Sequence, residues 1–154
     1  MDEDSRRRFM ALALIEGRKA LPGCLPNPPV GCVLVQEGRV IAAGYTNPPG
    51  KPHAEAMALA QVTGDLSDVT AFVTLEPCSF HGRTPSCALE LVARKIGQVH
   101  IAMLDPDPRN NGAGVRILQR AGIEVSVGLL ADEAREELGP HLARADNVVI
   151  DSRI

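Results

Sequence analysis

Apolar residues recur at helical spacing over residues 4–20, with Phe9, Leu12 and Ala13 on the shared face, and Pro22-Gly23 stops the pattern. The chain therefore opens on a packing helix. The period then changes: residues 30–35 and 40–43 read as two short strands around Glu37-Gly38, a tight hairpin turn. Asn47-Pro48-Pro49-Gly50-Lys51-Pro52 cannot be regular structure, because its prolines lack amide donors and fix φ. A helix is predicted from about His53. A strand at residues 70–75, a loop of turn formers and a helix from about Pro85 repeat the same logic, with Ala88, Leu91, Val92 and Lys95 on one face. Pro85 suits the first turn of that helix. Beyond it the pattern predicts a strand at 98–103, a bend at Asp105-Pro106-Asp107-Pro108, a helix through Val115 and Leu118, a strand at 123–127 and a last helix from about Ala131.

Strands alternating with helices imply an α/β fold, a mostly parallel sheet of about five strands covered by helices on both faces, with one antiparallel hairpin at its start. No repeat, low-complexity segment or linker divides the chain, so residues 1–154 read as one domain, with a loose tail from about residue 141. Composition agrees: 154 residues with 45% hydrophobic and 23% charged residues suit one globular core. No apolar run approaches the ~18 residues of a membrane span, and Arg6, Arg7 and Arg8 precede a short apolar stretch without a cleavage site. A cytoplasmic protein without membrane contact is expected. The net charge of −3, with one Tyr, three Phe and no Trp, leaves little for a phosphate-tracking groove or a base-stacking platform, which argues against long nucleic acids as partners.

Four cysteines do not define a disulfide scaffold in a chain of this size, and Cys clustered with His reads better as metal binding or catalysis. Cys78 and Cys87 are the clustered pair. Cys32 sits in an apolar strand, where a free Cys behaves as a small hydrophobe, and Cys24 lies in a Pro/Gly-rich loop. His53-Ala54-Glu55 precedes Pro77-Cys78, and Cys87 follows after eight intervening residues. A catalytic zinc takes three protein ligands and keeps one position for water, and one imidazole with two thiolates is a common set. Structural zinc sites are usually closed by four ligands, and only three are in register here. At a helix start, His53 and Glu55 are about 200° apart around the axis, so they must curl toward one point in the first turn. There Glu55 can stand beside the metal without binding it. A helix amino end near Cys78 and Cys87 would further favour the thiolates.

Zinc deaminases carry H-x-E followed by P-C-x-x-C, with the Glu as general acid/base. This chain matches the first half, but eight residues separate its cysteines. The run from Thr74 through Glu76-Pro77-Cys78-Ser79-Phe80-His81-Gly82-Arg83-Thr84-Pro85-Ser86-Cys87 resembles the deaminase domain of the bifunctional riboflavin-biosynthesis deaminase/reductase. So do Asn27-Pro28-Pro29-Val30-Gly31-Cys32, Pro52-His53-Ala54-Glu55, Asp105-Pro106-Asp107-Pro108 and Ala121-Gly122-Ile123-Glu124-Val125, in the family's order over roughly residues 8–138. The resemblance implies a cytidine deaminase-like fold, a three-layer α/β/α arrangement with a mixed central sheet of about five strands, and hydrolytic removal of an amine from 2,5-diamino-6-ribosylamino-pyrimidinone 5′-phosphate. It implies zinc held by His53, Cys78 and Cys87, Glu55 as the proton shuttle, and Asn27 as a pyrimidine contact, although Asn27-Pro28-Pro29 also has ordinary turn chemistry. A homodimer is expected from the fold alone.

Thr46 stands where the family has a His before its metal-binding His, and Phe80 where it has a His after its first Cys, both positions that help read the ribose phosphate. Phe cannot donate to phosphate, and Thr offers a neutral hydroxyl. Arg83 remains as a forked anion donor, with His81 one place from the missing His. The reductase domain is absent from this sequence. Three readings stay open: the riboflavin-pathway deaminase, a paralogue acting on another, unphosphorylated amino-heterocycle, and a non-catalytic zinc module partnering a separate reductase. Asp105 and Asp107 read as turn formers, His100 as a satisfied core or edge residue, and His141 as surface.

Overall fold

The computed structural model describes residues 1–142; the tail expected beyond residue 141 lies almost entirely outside the described residues. The elements run α1 (Glu3–Arg18), β1 (Gly31–Gln36), β2 (Arg39–Tyr45), α2 (Ala54–Leu59), β3 (Val69–Val73), α3 (Cys87–Ala93), β4 (Gln98–Ile101), α4 (Ala113–Arg120), β5 (Glu124–Val127) and α5 (Ala131–Leu138), closed by a 3₁₀ turn at Gly139–His141. Every predicted element forms. The first helix ends earlier than residue 20, and Asp2 caps it by accepting from Ser5 N at 2.8 Å. Its buried face is Phe9, Met10, Ala13, Leu14 and Gly17, whereas Leu12, expected inside, is exposed.

The five strands form one sheet in the order β2-β1-β3-β4-β5. It is the mixed sheet expected, with one antiparallel pairing more than the opening hairpin: β1 is antiparallel to both β2 and β3, while β3, β4 and β5 run parallel. The strand–helix–strand rule holds for β2-α2-β3, whose strands share one direction, but β1 lies between them. Consequently the carboxyl ends of β2, β3, β4 and β5 all open on one edge, where open α/β sheets bind ligands.

Register separates the two faces. Ala43, Val33, Phe72, His100 and Ser126 form one cross-strand row, and Gly44, Cys32, Val73, Ile101 and Val127 form the next. Adjacent rows point to opposite sides of a pleated sheet. Phe9 of α1 packs on Phe72 at 5.5 Å between ring centroids, and Gly44 faces α2, so α1 and α2 cover opposite faces and the architecture is three-layered α/β/α. Burial of β1 from Gly31 through Val35 follows from that double cover. His100 is the satisfied core residue expected: 6% exposed, stacked on Phe72 and bonded to Ser126, with burial holding its pKa below the usual value. His141, expected at the surface, is half-buried in the final 3₁₀ turn. No helix among the described residues is long and apolar enough to cross a membrane.

Close approach fixes α2. A Cβ on Gly44 would overlap the carbonyl of Ala54 and crowd Ala58 N at 2.8 Å, so only glycine lets the helix sit this near the sheet. Gly44→Ala should therefore lower the free energy of unfolding by ~1–3 kcal/mol, the cost of an overpacked core, read as a fall in the urea midpoint at unchanged slope. An unchanged midpoint would contradict that packing.

Candidate active site

Two helix starts meet at the sheet edge. His53 occupies the N-cap position of α2 and Glu55 lies in its first turn. The second helix starts later than predicted: Ser86, not Pro85, precedes it, its Oγ accepting from Leu89 N at 3.2 Å and donating to the Cys78 carbonyl at 2.8 Å. Cys87 is thus its first residue. At the far end, Lys95, expected on the helix face, lies beyond Ala93 in the left-handed region at φ 58 and is exposed. The first backbone amide of α3, Cys87 N, donates to Cys78 Sγ at 3.2 Å, so the helix start favours negative charge on that sulfur.

Ligand-type atoms of His53, Cys78 and Cys87 lie within 4.8 Å of one another, a group that could hold a metal ion. His53 Nδ1 is 3.8 Å from Cys78 Sγ and 3.5 Å from Cys87 Sγ. Zinc bonds of ~2.3 Å to sulfur and ~2.05 Å to nitrogen at tetrahedral angles would place these atoms about 3.6 Å apart. The donor set and its spacing therefore fit zinc. A ring offering Nδ1 to a metal carries its proton on Nε2, and Thr84 Oγ1 stands 3.1 Å from Nε2 to accept it.

The electrostatics point the same way. The Cys78 thiol is held down to about 4, first by its hydrogen bond with Cys87 and then by His53, with burial opposing. Cys87 moves well upward, because it keeps the shared proton and because it is buried. The two shifts run in opposite directions because one hydrogen bond joins the two sulfurs. A divalent ion held by His53, Cys78 and Cys87 would displace the proton shared by the sulfurs and stabilise both thiolates. Burial pushes the Glu55 carboxyl up to about 7, reinforced by Cys78 and opposed by His53.

His53, Glu55 and Cys78 line one pocket with Asn27 and Thr46, two further residues singled out in the sequence. Asn27 and Thr46 are buried, and Thr46 Oγ1 accepts from Val30 N at 3.1 Å. A neighbouring cavity, on the Cys87 side of His53, is lined by Arg83, Thr84 and Glu90. Phe80 sits under the Arg109 guanidinium at 5.3 Å, and His81 is exposed and borders neither of these two cavities. Cys32 is wholly buried in β1, as a small hydrophobe should be, and Cys24 is buried in its loop. Asp105 and Asp107 are the turn formers expected: Asp105 Oδ1 accepts from Asp107 N at 3.0 Å, and Asp107 Oδ1 from Arg109 N at 3.0 Å.

Sequence reasoning missed Thr84, Glu76 and Asn110. Glu76, buried two residues before Cys78, accepts from the backbone amides of Asp105 at 3.1 Å, Gly112 at 3.0 Å and Val115 at 3.1 Å. Its partners are remote in the chain, so no local pattern announces it. Glu76→Ala would strand three amides and should cost ~1–3 kcal/mol for each one left buried and unmet, measured by thermal unfolding. A melting temperature equal to the parent's would contradict this role. Thr84→Val should weaken zinc binding by ~10-fold or more in a chelator competition, and unchanged affinity would remove Thr84 from the site.

The sequence pattern of the cytidine and deoxycytidylate deaminase zinc-binding region matches residues 3–103. The chain is 46% identical over 130 residues to the riboflavin biosynthesis protein RibD of Aquifex aeolicus, covering 84% of this chain and 36% of that protein. In structure it resembles RibD of Acinetobacter baumannii, with a TM-score of 0.86 and 40% identity over 89% of this chain and 39% of the other. It also resembles a diaminohydroxyphosphoribosylaminopyrimidine deaminase/5-amino-6-(5-phosphoribosylamino)uracil reductase from Thermotoga maritima, with a TM-score of 0.83 and 39% identity over 89% of this chain and 40% of that one. The chain thus spans about a third of the length of the curated relatives it matches. On the match over two-thirds of its length, with a His/Cys/Cys group at the expected place, the chain belongs to the cytidine and deoxycytidylate deaminase family.

Proposed function

We propose that this chain hydrolytically deaminates an aminopyrimidine of riboflavin biosynthesis, the diaminohydroxyphosphoribosylaminopyrimidine named for the Thermotoga maritima relative. In this reading His53, Cys78 and Cys87 hold zinc, Glu55 moves protons and Asn27 contacts the ring. One observation carries it: a buried carboxylate, with its pKa raised to about 7, shares a pocket with two members of a three-ligand group whose spacing suits zinc. Zinc, when bound, lowers the pKa of a coordinated water toward ~7.

Glu55 takes a proton from the attacking water and passes it to the ring nitrogen as the C–O bond forms, then takes the proton of the resulting hydroxyl and passes it to the amine as the C–N bond breaks, so that water and the amino-pyrimidine become the carbonyl compound and ammonia. A carboxyl poised near neutrality suits both halves of that relay. The amide of Asn27 has a donor and an acceptor for the edge of the ring. Self-association as a homodimer, acting on small molecules, completes the proposal, and light scattering would read twice the chain mass.

Glu55→Gln should keep zinc but cut turnover by a factor on the order of 10²–10⁴, the usual contribution of a positioned general acid/base. Wild-type rates in that variant would sink the proton assignment. Cys87→Ala should lose the metal, checked by atomic absorption after gel filtration.

A second reading, deamination of an unphosphorylated ring, is favoured by the pocket itself. No Lys or Arg is among the residues lining it, and Thr46 and Phe80 stand where the resemblance implies phosphate-reading histidines. An ammonia-release panel separates the readings: turnover of the phosphorylated diaminopyrimidine supports the first. Turnover confined to unphosphorylated pyrimidines, purines or triazines supports the second.

A further inference from the structure

Cys78 lies in a loop between β3 and α3, without helix or strand pairing of its own. Its sulfur nevertheless has to be held to within a fraction of an ångström if it is to share a metal with two other side chains. The neighbouring residues show how. Asn110, 1% exposed, accepts from Ser79 N through Oδ1 at 3.1 Å and donates from Nδ2 to the Pro77 carbonyl at 3.3 Å. One side-chain amide therefore grips the residue before Cys78 and the residue after it. A side-chain amide has a donor and an acceptor side by side, so it meets a carbonyl and an N–H on two neighbouring residues together.

Asn110 is itself anchored. Its Nδ2 also reaches Asp105 Oδ2 at 3.4 Å, and its backbone N donates to the Asp107 carbonyl at 2.9 Å. The clasp is reciprocal, because Glu76 reaches back to the amides at both ends of the 105–112 loop. Gly114 packs against the Pro77 carbonyl so closely that a Cβ there would overlap it. The stretch from Glu76 to Ser79 is thus tied to the loop after β4 on both sides of Cys78.

We propose that Asn110 is the positioning residue of Cys78, setting the metal affinity of the site by clamping the backbone on either side of that ligand. The inference rests on the reading of Cys78 as a zinc ligand. A bland alternative exists: a buried Asn with three partners stabilises any loop. The two differ in what they move. A stabilising residue shifts the unfolding midpoint, whereas a positioning residue also shifts metal affinity in protein that is still folded.

The test measures zinc affinity by competition with a chromophoric chelator, on folded chain, for the parent, Asn110→Ala, Asn110→Asp and Phe9→Ala. Asn110→Ala should bind zinc ~10–100-fold more weakly, as loss of an outer partner of a ligand does. With cobalt(II) in place of zinc, its thiolate-to-metal absorption band should also shift. Asn110→Asp keeps the acceptor for Ser79 N but turns a carboxylate oxygen onto the Pro77 carbonyl and Asp105, so its affinity should also fall ~10-fold or more, and it gives a second folded variant to measure beside Ala. Phe9→Ala, on the opposite face of the sheet, should lower the melting temperature and leave zinc affinity within about threefold of the parent, below the loss expected for an outer partner. Parent-like affinity and an unshifted cobalt band in both Asn110 variants would overturn the proposal. Parent-like affinity in Cys78→Ala would overturn it by another route, through the ligand reading itself.

Discussion

Two thiols and an imidazole packed together in a largely buried site make a donor set that a divalent cation would satisfy. Cys78 and Cys87 are 8% and 1% exposed, and the hydrogen bond between them draws the Cys78 thiol well below its usual pKa while it and burial push Cys87 well above. Much of the local structure serves that concentration of negative charge. The first amide of α3 donates to Cys78 Sγ, Thr84 faces the far nitrogen of His53, and Glu55 is buried in the adjoining pocket with its carboxyl pushed upward. A divalent ion bound here would offset the close approach of the two sulfurs, so metal binding would add to the stability of the fold.

The sheet supplies the meeting point. Because β1 inserts between β2 and β3, the loops leaving the carboxyl ends of β2, β3 and β4 converge on one edge. The first delivers His53, the second Cys78 and Cys87, and the third carries the Asp105-to-Gly112 segment that grips Glu76, Pro77 and Ser79. Glycine sets two of the approaches, Gly44 admitting α2 to the sheet and Gly114 admitting α4 to Pro77. The proposed metal ligands, on short helices and loops, are thereby held by backbone contacts that contain no metal chemistry at all.

The sequence made the elements and the His53/Cys78/Cys87 group legible, because hydrophobic periodicity and ligand spacing are local signals. Strand direction was less legible. Alternation of strand and helix correctly relates β2 to β3, and the hairpin turn correctly sets β1 against β2, yet nothing local says that β1 will also pair with β3 and lie between the two. Helix ends slipped for a similar reason: Pro85 looks like a first-turn residue, but Ser86 has the side chain that caps. Thr84, Glu76 and Asn110 were invisible as functional residues, since their roles depend on partners roughly 30 residues or more away in the chain. Phe80 was noticed as a departure, and its partner Arg109 became evident only in three dimensions.

The central claim is an open zinc centre with three protein ligands, and X-ray absorption at the zinc edge of the purified, metal-loaded chain addresses it directly. The account predicts one zinc per chain, with two sulfurs at ~2.3 Å, one imidazole nitrogen at ~2.0–2.1 Å and one further light atom from solvent. A shell of four protein ligands, or a zinc with fewer than two sulfurs, would contradict it.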